Sequence, residues 1–192
     1  HIYMVSRDGS EIRPITVGQF DITSVPAIDE KNGFVYFMAS PDNATQRYLY
    51  RIKLTGESKP ELITTIKGGY HEYDISPDAK WAIHSWSDFE TPETVELVNL
   101  PKHNTIKTLA ANDRLRDALK DLKKKPVEFF RVDIGNGIKL DGWMMKPYDF
   151  DESKKFPVLF YVYGEPWGQT VLDQFASIQY LWYLMLTQKG YI

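Results

Sequence analysis

No cysteine occurs in the 192 residues, which excludes disulfide scaffolds, thiolate nucleophiles and Cys-ligated metals together. That absence suits a reducing cytosol, and equally a periplasm where stray thiols would mispair. Charge of one sign is also lacking. Lys and Arg number 23 against 26 Asp and Glu, a net charge of −3, so nothing favours nucleic acid as a partner. No apolar run approaches the length of a membrane span. Histidine is scarce, and His1, His71, His84 and His103 lack the spacing of metal ligands. Each reads singly as a strand or turn residue, and neither metal nor cofactor is expected. Aromatic residues are plentiful at 14%, with Tyr and Trp spread over the first two thirds, as in proteins of many short strands. The hydrophobic share of 43% and charged share of 26% are those of an ordinary globular chain, long enough to bury a real core.

The first 110 or so positions repeat. Ile2-Tyr3-Met4-Val5-Ser6-Arg7-Asp8-Gly9 leads to Arg13-Pro14-Ile15-Thr16, and Leu49-Tyr50-Arg51-Ile52-Lys53-Leu54-Thr55-Gly56 leads to Glu61-Leu62-Ile63-Thr64. The offset from Gly9 to Gly56 is 47. A looser copy runs from Val95–Leu100 to Ile106–Leu109. Further strand pairs precede the second and third copies: Val25–Ile28 with Phe34–Ala39, and Tyr73–Ile75 with Trp81–Trp86 across the turn Ser76-Pro77-Asp78. Four short strands per unit of this period predict β-propeller blades. A β-sandwich is the competing reading, and the period favours the propeller.

The pattern changes at Asn112. Leu115, Ala118, Leu119 and Leu122 have helical spacing, with Asn112 or Asp113 as N-cap, Lys123-Lys124-Lys125 at the negative end of the dipole, and Pro126 as a stop. Val127–Ile134 and Ile138–Lys146 flank Gly135-Asn136-Gly137, a hairpin signal. Val158–Val162, five apolar residues bounded by Pro157 and Gly164, predict a strand buried on both faces that ends at a Gly-x-Pro turn through Glu165 and Pro166. Tyr163 stands at its carboxyl end, the edge where ligands bind in open α/β sheets. A phenol there can face a developing oxyanion. The same pattern fits a core strand with Tyr163 as a rim aromatic. A helix follows over about Asp173–Lys189, with Phe175, Ile178, Trp182, Met185 and Leu186 on its apolar face. The order is that of an α/β-hydrolase sheet at its start. His1 falls inside an alternating strand and Lys189-Gly190-Tyr191-Ile192 is a helix stop leading into a new apolar run, so the expectation is an internal segment of a longer protein.

Leu140-Asp141-Gly142-Trp143-Met144-Met145-Lys146-Pro147 and Lys154-Lys155-Phe156-Pro157-Val158-Leu159-Phe160-Tyr161-Val162-Tyr163-Gly164, fed by a propeller, resemble the dipeptidyl peptidase IV branch of the prolyl oligopeptidase family, bacterial members in particular. Tyr70-His71-Glu72, Ser76–Lys80 and Ser87–Pro92 resemble the last blade of those enzymes. The resemblance implies the C-terminal blades of a β-propeller over 1–111, a helical linker over 112–126, and the N-terminal part of an α/β-hydrolase catalytic domain over 127–192. It implies a serine exopeptidase that releases dipeptides with Pro or Ala second, acting on peptide substrates through an acyl-enzyme, with Tyr163 as the oxyanion-hole donor. A homodimer of the parent protein and a periplasmic or extracytoplasmic address are family habits. Glu165 departs from the glycine or small residue usual between Gly164 and Pro166, and puts a carboxylate near the developing anion.

No serine here lies in Gly-x-Ser-x-Gly, so nucleophile, acid and histidine are expected outside the chain and the segment alone is expected to be inactive. A prolyl tripeptidyl peptidase, an acylaminoacyl peptidase and a catalytically inactive binding protein of the same build are alternatives. Asn43-Ala44-Thr45 is a glycosylation sequon, relevant only in a eukaryotic secretory setting.

Overall fold

Six consecutive apolar residues, Phe34–Ala39, have no polar face to offer water, so the strand they form must be covered on both sides. The computed structural model describes residues 1–165 and 168–192, and that strand, β4, organises the first of two compact units, His1–Trp86 with Thr94–Ala111. Successive side chains point to opposite faces. Tyr36 and Met38 join Leu49, Ile63, Ala79, Ala82, Val98 and Leu100 in one core. Val35, Phe37 and Ala39 join Ile15 and Ile52 in another. Each large side chain so buried contributes roughly 1.5–3 kcal/mol.

Around β4 the chain forms antiparallel meanders. β1 (Tyr3–Val5) pairs with β2 (Ile12–Pro14). β3 (Ile22–Asp29), β4, β5 (Tyr48–Lys53) and β6 (Glu61–Leu62) make a four-stranded sheet in sequence order. β7 (Tyr70–Ile75), β8 (Trp81–Ser87), β9 (Thr94–Asn99) and β10 (Thr105–Ala110) make a second. Two four-stranded meanders with cores on their faces have the form expected of propeller blades. The β3–β4 register slips between Ser24 and Ala27, around Pro26, which has no N–H for the ladder.

The second unit comprises Ser87–Glu93 and Asn112–Ile192. Its helix α1 spans Asp113–Lys120, shorter than expected, and Asn112 takes the N-cap position in a left-handed conformation without capping through its side chain. The Asn112 amide donates instead to the Glu93 carbonyl at 2.7 Å. Of the lysines after the helix, Lys124 turns away to other partners: its Nζ lies 3.0 Å from both Glu90 Oε1 and the Tyr180 hydroxyl. The hairpin forms as predicted, β11 (Glu128–Asp133) against β12 (Lys139–Met144), closed by Gly135, Asn136 and Gly137, all at positive φ.

Two expectations are corrected. Helix α2 runs over Ile178–Gln188, and it buries Tyr180, Tyr183, Leu184 and Thr187 rather than the Ile178, Trp182 and Met185 face, which is exposed. Both faces of this helix are apolar, so periodicity did not discriminate; the tyrosines win because their rings meet Phe89, Trp143 and Phe175 while their hydroxyls find partners. Val158–Val162 is neither a ladder strand nor buried: Phe160 is 86% and Val162 84% exposed. A strand needs neighbours, and this segment meets Ile192. Leu159 N–H donates to Ile192 O at 2.8 Å and Ile192 N–H to Pro157 O at 2.9 Å, the bonding of one parallel pair opposite Val158. Pro166 of the predicted turn lies outside the described residues.

Gly9 and Gly56, the repeat markers, close equivalent turns at φ 74° and 73°. A Cβ at Gly9 meets open space, whereas one at Gly56 sits 3.0 Å from the Pro14 carbonyl oxygen. Gly9→Ala is expected to cost about 1–2 kcal/mol from the left-handed backbone alone, and Gly56→Ala measurably more. Urea unfolding of the full-length polypeptide reads the difference; equal losses would exclude the Pro14 contact.

Candidate functional site

The segment that fails to form a strand borders an opening in the second unit. A cavity of about 560 Å³ separates it from β12, with Trp143, Tyr161, Tyr163, Tyr183, Thr187 and Ile192 among its walls. Trp143 and Tyr183 of that lining belong to an aromatic cluster. Phe89 packs against Trp143 and Tyr180, with ring centroids 5.1 and 6.0 Å apart, and Trp143 against Tyr183 at 5.0 Å. The Ser87–Glu93 segment is held in this unit by Phe89 N–H donating to Asp173 Oδ1 at 3.0 Å and by Phe175 N–H donating to Ser87 Oγ at 3.2 Å. Burial opposes the charge of Lys124, but its bonds to Tyr180 and Glu90 outweigh it and raise the ammonium above its ordinary range.

Tyr163 lies at the rim, 47% exposed. Its hydroxyl donates to Glu165 Oε2 at 2.7 Å. That bond, with smaller contributions from burial and Tyr161, raises the phenol above its usual value, because ionisation would set a phenolate against a carboxylate. The carboxylate therefore does two opposed things. It keeps Tyr163 a neutral donor, and it occupies the one hydrogen that the phenol has to give. Gly168 completes the corner: its N–H donates to Glu165 O at 3.0 Å, and a Cβ there would run into the Tyr163 ring. Sequence reasoning passed over Gly168, although its spacing from Gly164 was a visible signal.

The histidines behave differently from their sequence reading. His71, His84 and His103 come together in the first unit, buried at 0, 0 and 4% exposure. Among the described residues no group of three His, Cys, Asp or Glu is arranged to hold a metal ion. Among the described residues no helix is long and apolar enough to cross a membrane.

An all-β unit of antiparallel meanders, continuing into a hairpin, a helix and an open aromatic cavity, defines a class before any particular relative is considered. Residues 1–93 match the family described as the dipeptidyl peptidase IV N-terminal region. The relatives extend that likeness along the chain. A probable dipeptidyl peptidase 4 of Emericella nidulans is 29% identical over 185 residues, covering 96% of this chain and 24% of that protein. A probable dipeptidyl-aminopeptidase B of Coccidioides posadasii is 30% identical over 183 residues, covering 90% of this chain and 19% of its own length. The crystal structure of Porphyromonas gingivalis dipeptidyl peptidase 4 matches with a TM-score of 0.88 at 29% identity, over all of this chain and 26% of that one. A putative dipeptidyl aminopeptidase IV from Bacteroides ovatus shares the fold at a TM-score of 0.76 and 21% identity, over 99% of this chain and 27% of that one. The chain thus spans about a fifth to a quarter of the length of the relatives it matches.

The Tyr163–Glu165 bond has a spectroscopic consequence. Glu165→Gln removes the negative charge beside the phenol, so Tyr163 is expected to ionise at lower pH than in the unaltered protein. Ultraviolet difference titration, with Tyr163→Phe as the blank, isolates this one tyrosine. An unchanged midpoint would mean that the phenol does not donate to Glu165.

Proposed function

We propose that this chain is a stretch of a serine-type dipeptidyl peptidase: the last blades of its propeller (1–111), a helical connector (112–126) and the start of its α/β-hydrolase domain (127–192). The observation that carries the reading is the likeness to Porphyromonas gingivalis dipeptidyl peptidase 4, which covers all of this chain at a TM-score of 0.88 and 29% identity. The parallel pair between Val158 and Ile192, joined through helix α2, supports the hydrolase half, since strand–helix–parallel strand is the unit from which α/β sheets grow. On this reading the cavity between β12 and Val158–Tyr163 is the slot for a further strand, and the exposure of the apolar run follows from its absence.

The activity follows from the same reading. A serine supplied elsewhere in the parent attacks the carbonyl of the second residue of a peptide, its proton passing to the catalytic histidine. The carbonyl oxygen becomes an oxyanion that accepts a hydrogen bond from Tyr163. The C–N bond then breaks, the histidine protonates the leaving amine, and water hydrolyses the dipeptidyl ester. Tyr163 must be neutral to donate, and Glu165 favours that state. The phenolic hydrogen turns from Glu165 toward the oxyanion as the charge develops. Preference for Pro or Ala at the second position, homodimer formation and a periplasmic or extracytoplasmic site belong to the proposal as features of the whole enzyme.

Tyr163→Phe in the full-length protein is expected to lower kcat about 10²–10³-fold on Gly-Pro amides, as removal of an oxyanion-hole donor does. A loss of threefold or less would remove Tyr163 from the mechanism.

A further inference from the structure

The buried histidines of the first unit pose a problem of hydrogen counting. His71 and Tyr73 stand two apart on β7 and share a face. His84 on β8 is the direct cross-strand partner of Glu96 on β9. His103 enters from the β9–β10 turn at φ 57°. The rings are in contact: His71 and His84 stack at 5.2 Å, Tyr73 lies nearly flat on His84 at 4.6 Å, and the edge of His103 meets His84 at 4.8 Å.

His71 Nε2 is 2.8 Å from the Gly68 carbonyl oxygen, which only accepts, so that nitrogen carries hydrogen. His71 Nδ1 and His84 Nε2 are 2.9 Å apart, with one hydrogen between them. His84 Nδ1 then faces Glu96 Oε2 at 3.6 Å, and both atoms are buried without a hydrogen-bond partner. A carbonyl and a carboxylate, both acceptors, bracket two imidazoles in line. Two neutral imidazoles bring two hydrogens to these three junctions, and the junction left empty sets lone pairs against each other out of water. A water cannot fill the gap, because two hydrogen bonds through one water oxygen span about 4.5 Å.

We infer that the line Gly68–His71–His84–Glu96 is a buried proton-binding site, holding one proton more than two neutral imidazoles and a carboxylate carry. The proton belongs to the line as a unit. Burial, helped by His103 and His71, pushes His84 down to about 3, which disfavours a full charge fixed on that ring. The surroundings accept one charge and discourage a second. The flat Tyr73 ring favours a cation beside its face. Burial lowers His103, whose Nδ1 is 3.0 Å from Thr65 Oγ1 and whose Nε2 is 2.8 Å from the Tyr73 hydroxyl. Burial raises the Tyr73 phenol far beyond neutral pH, and its oxygen also lies 2.8 Å from Thr64 Oγ1. The rings of Tyr48 and Trp86 stack near His71 at 5.4 and 6.1 Å and bring no charge. Of the groups facing the line, Glu96 is the acid.

The sign of the pH dependence separates this site from a merely buried neutral pair. Between about pH 7.5 and 9 the unfolded chain has released nearly all of its histidine protons (about 6.5) and its Glu96 proton (about 4.3). A folded line that keeps its proton therefore loses stability as pH rises through that window, tenfold in the folding equilibrium constant per pH unit. Buried neutral histidines give no such loss there; they lose stability only as pH falls below about 6.5. Glu96→Gln supplies an amide N–H to His84 Nδ1 and removes the need for the proton. Urea unfolding of the full-length polypeptide from pH 7 to 8 should show the unaltered protein weakening about tenfold relative to Glu96→Gln. Parallel curves would overturn the site. If the variant does not fold, neutron diffraction from deuterium-exchanged crystals of the unaltered protein near pH 7.5 decides: deuterium at all three junctions supports the site, and an empty His84–Glu96 junction refutes it.

Discussion

The two-sided burial of Phe34–Ala39 is the constraint from which the first unit follows. A strand with no polar face must have a layer on each side, and the chain supplies the β1–β2 pair near one and the β7–β10 sheet near the other through the two cores that β4 divides. Antiparallel sheets normally keep one wet face. Stacking meanders removes that freedom for the central strands, while the outer strand β10 stays exposed throughout. It also explains how histidines can be swallowed whole. His84 lies on a strand whose inward positions have no route to water, so its nitrogens must find partners within the sheet or go without.

The second unit depends on aromatic contacts instead. Phe89, Trp143, Phe175, Tyr180 and Tyr183 join segments that share no ladder: the Ser87–Glu93 stretch, the β11–β12 hairpin and helix α2. Lys124 secures the same junction by bonding Glu90 and Tyr180 at once. The unit is thereby ordered around its cluster and open at its sheet edge, where Val158–Tyr163 exposes its side chains along its whole length.

Legibility followed the locality of the signal. The blade strands were readable because their apolar runs and turn residues sit within ten positions of each other, and the Gly135-Asn136-Gly137 hairpin because three residues suffice to set it. The face of α2 was not, because apolar residues occupy both sides and the choice is made by Phe89 and Trp143, far away in sequence. Burial of Val158–Val162 was read from composition, which reports what a segment would bury and not whether neighbours are at hand. The histidine line was invisible for a related reason. His71, His84 and Glu96 carry no common spacing, and only the β7–β8–β9 register makes them adjacent.

Glu165 is the residue at which local and functional demands meet. Its carboxylate lies 2.7 Å from the Tyr163 hydroxyl, close enough to hold the phenol protonated and also to keep its hydrogen engaged. If Tyr163 serves an oxyanion, the two acceptors compete for one hydrogen, and the winner is decided by charge and solvation. On the proposed role, an oxyanion enclosed away from water draws the phenolic hydrogen more strongly than a carboxylate that keeps its own contact with solvent. At an open rim, with Tyr163 half exposed, the carboxylate keeps it. On the proposed role, the phenol rests on Glu165 and turns to the oxyanion only once the site is enclosed.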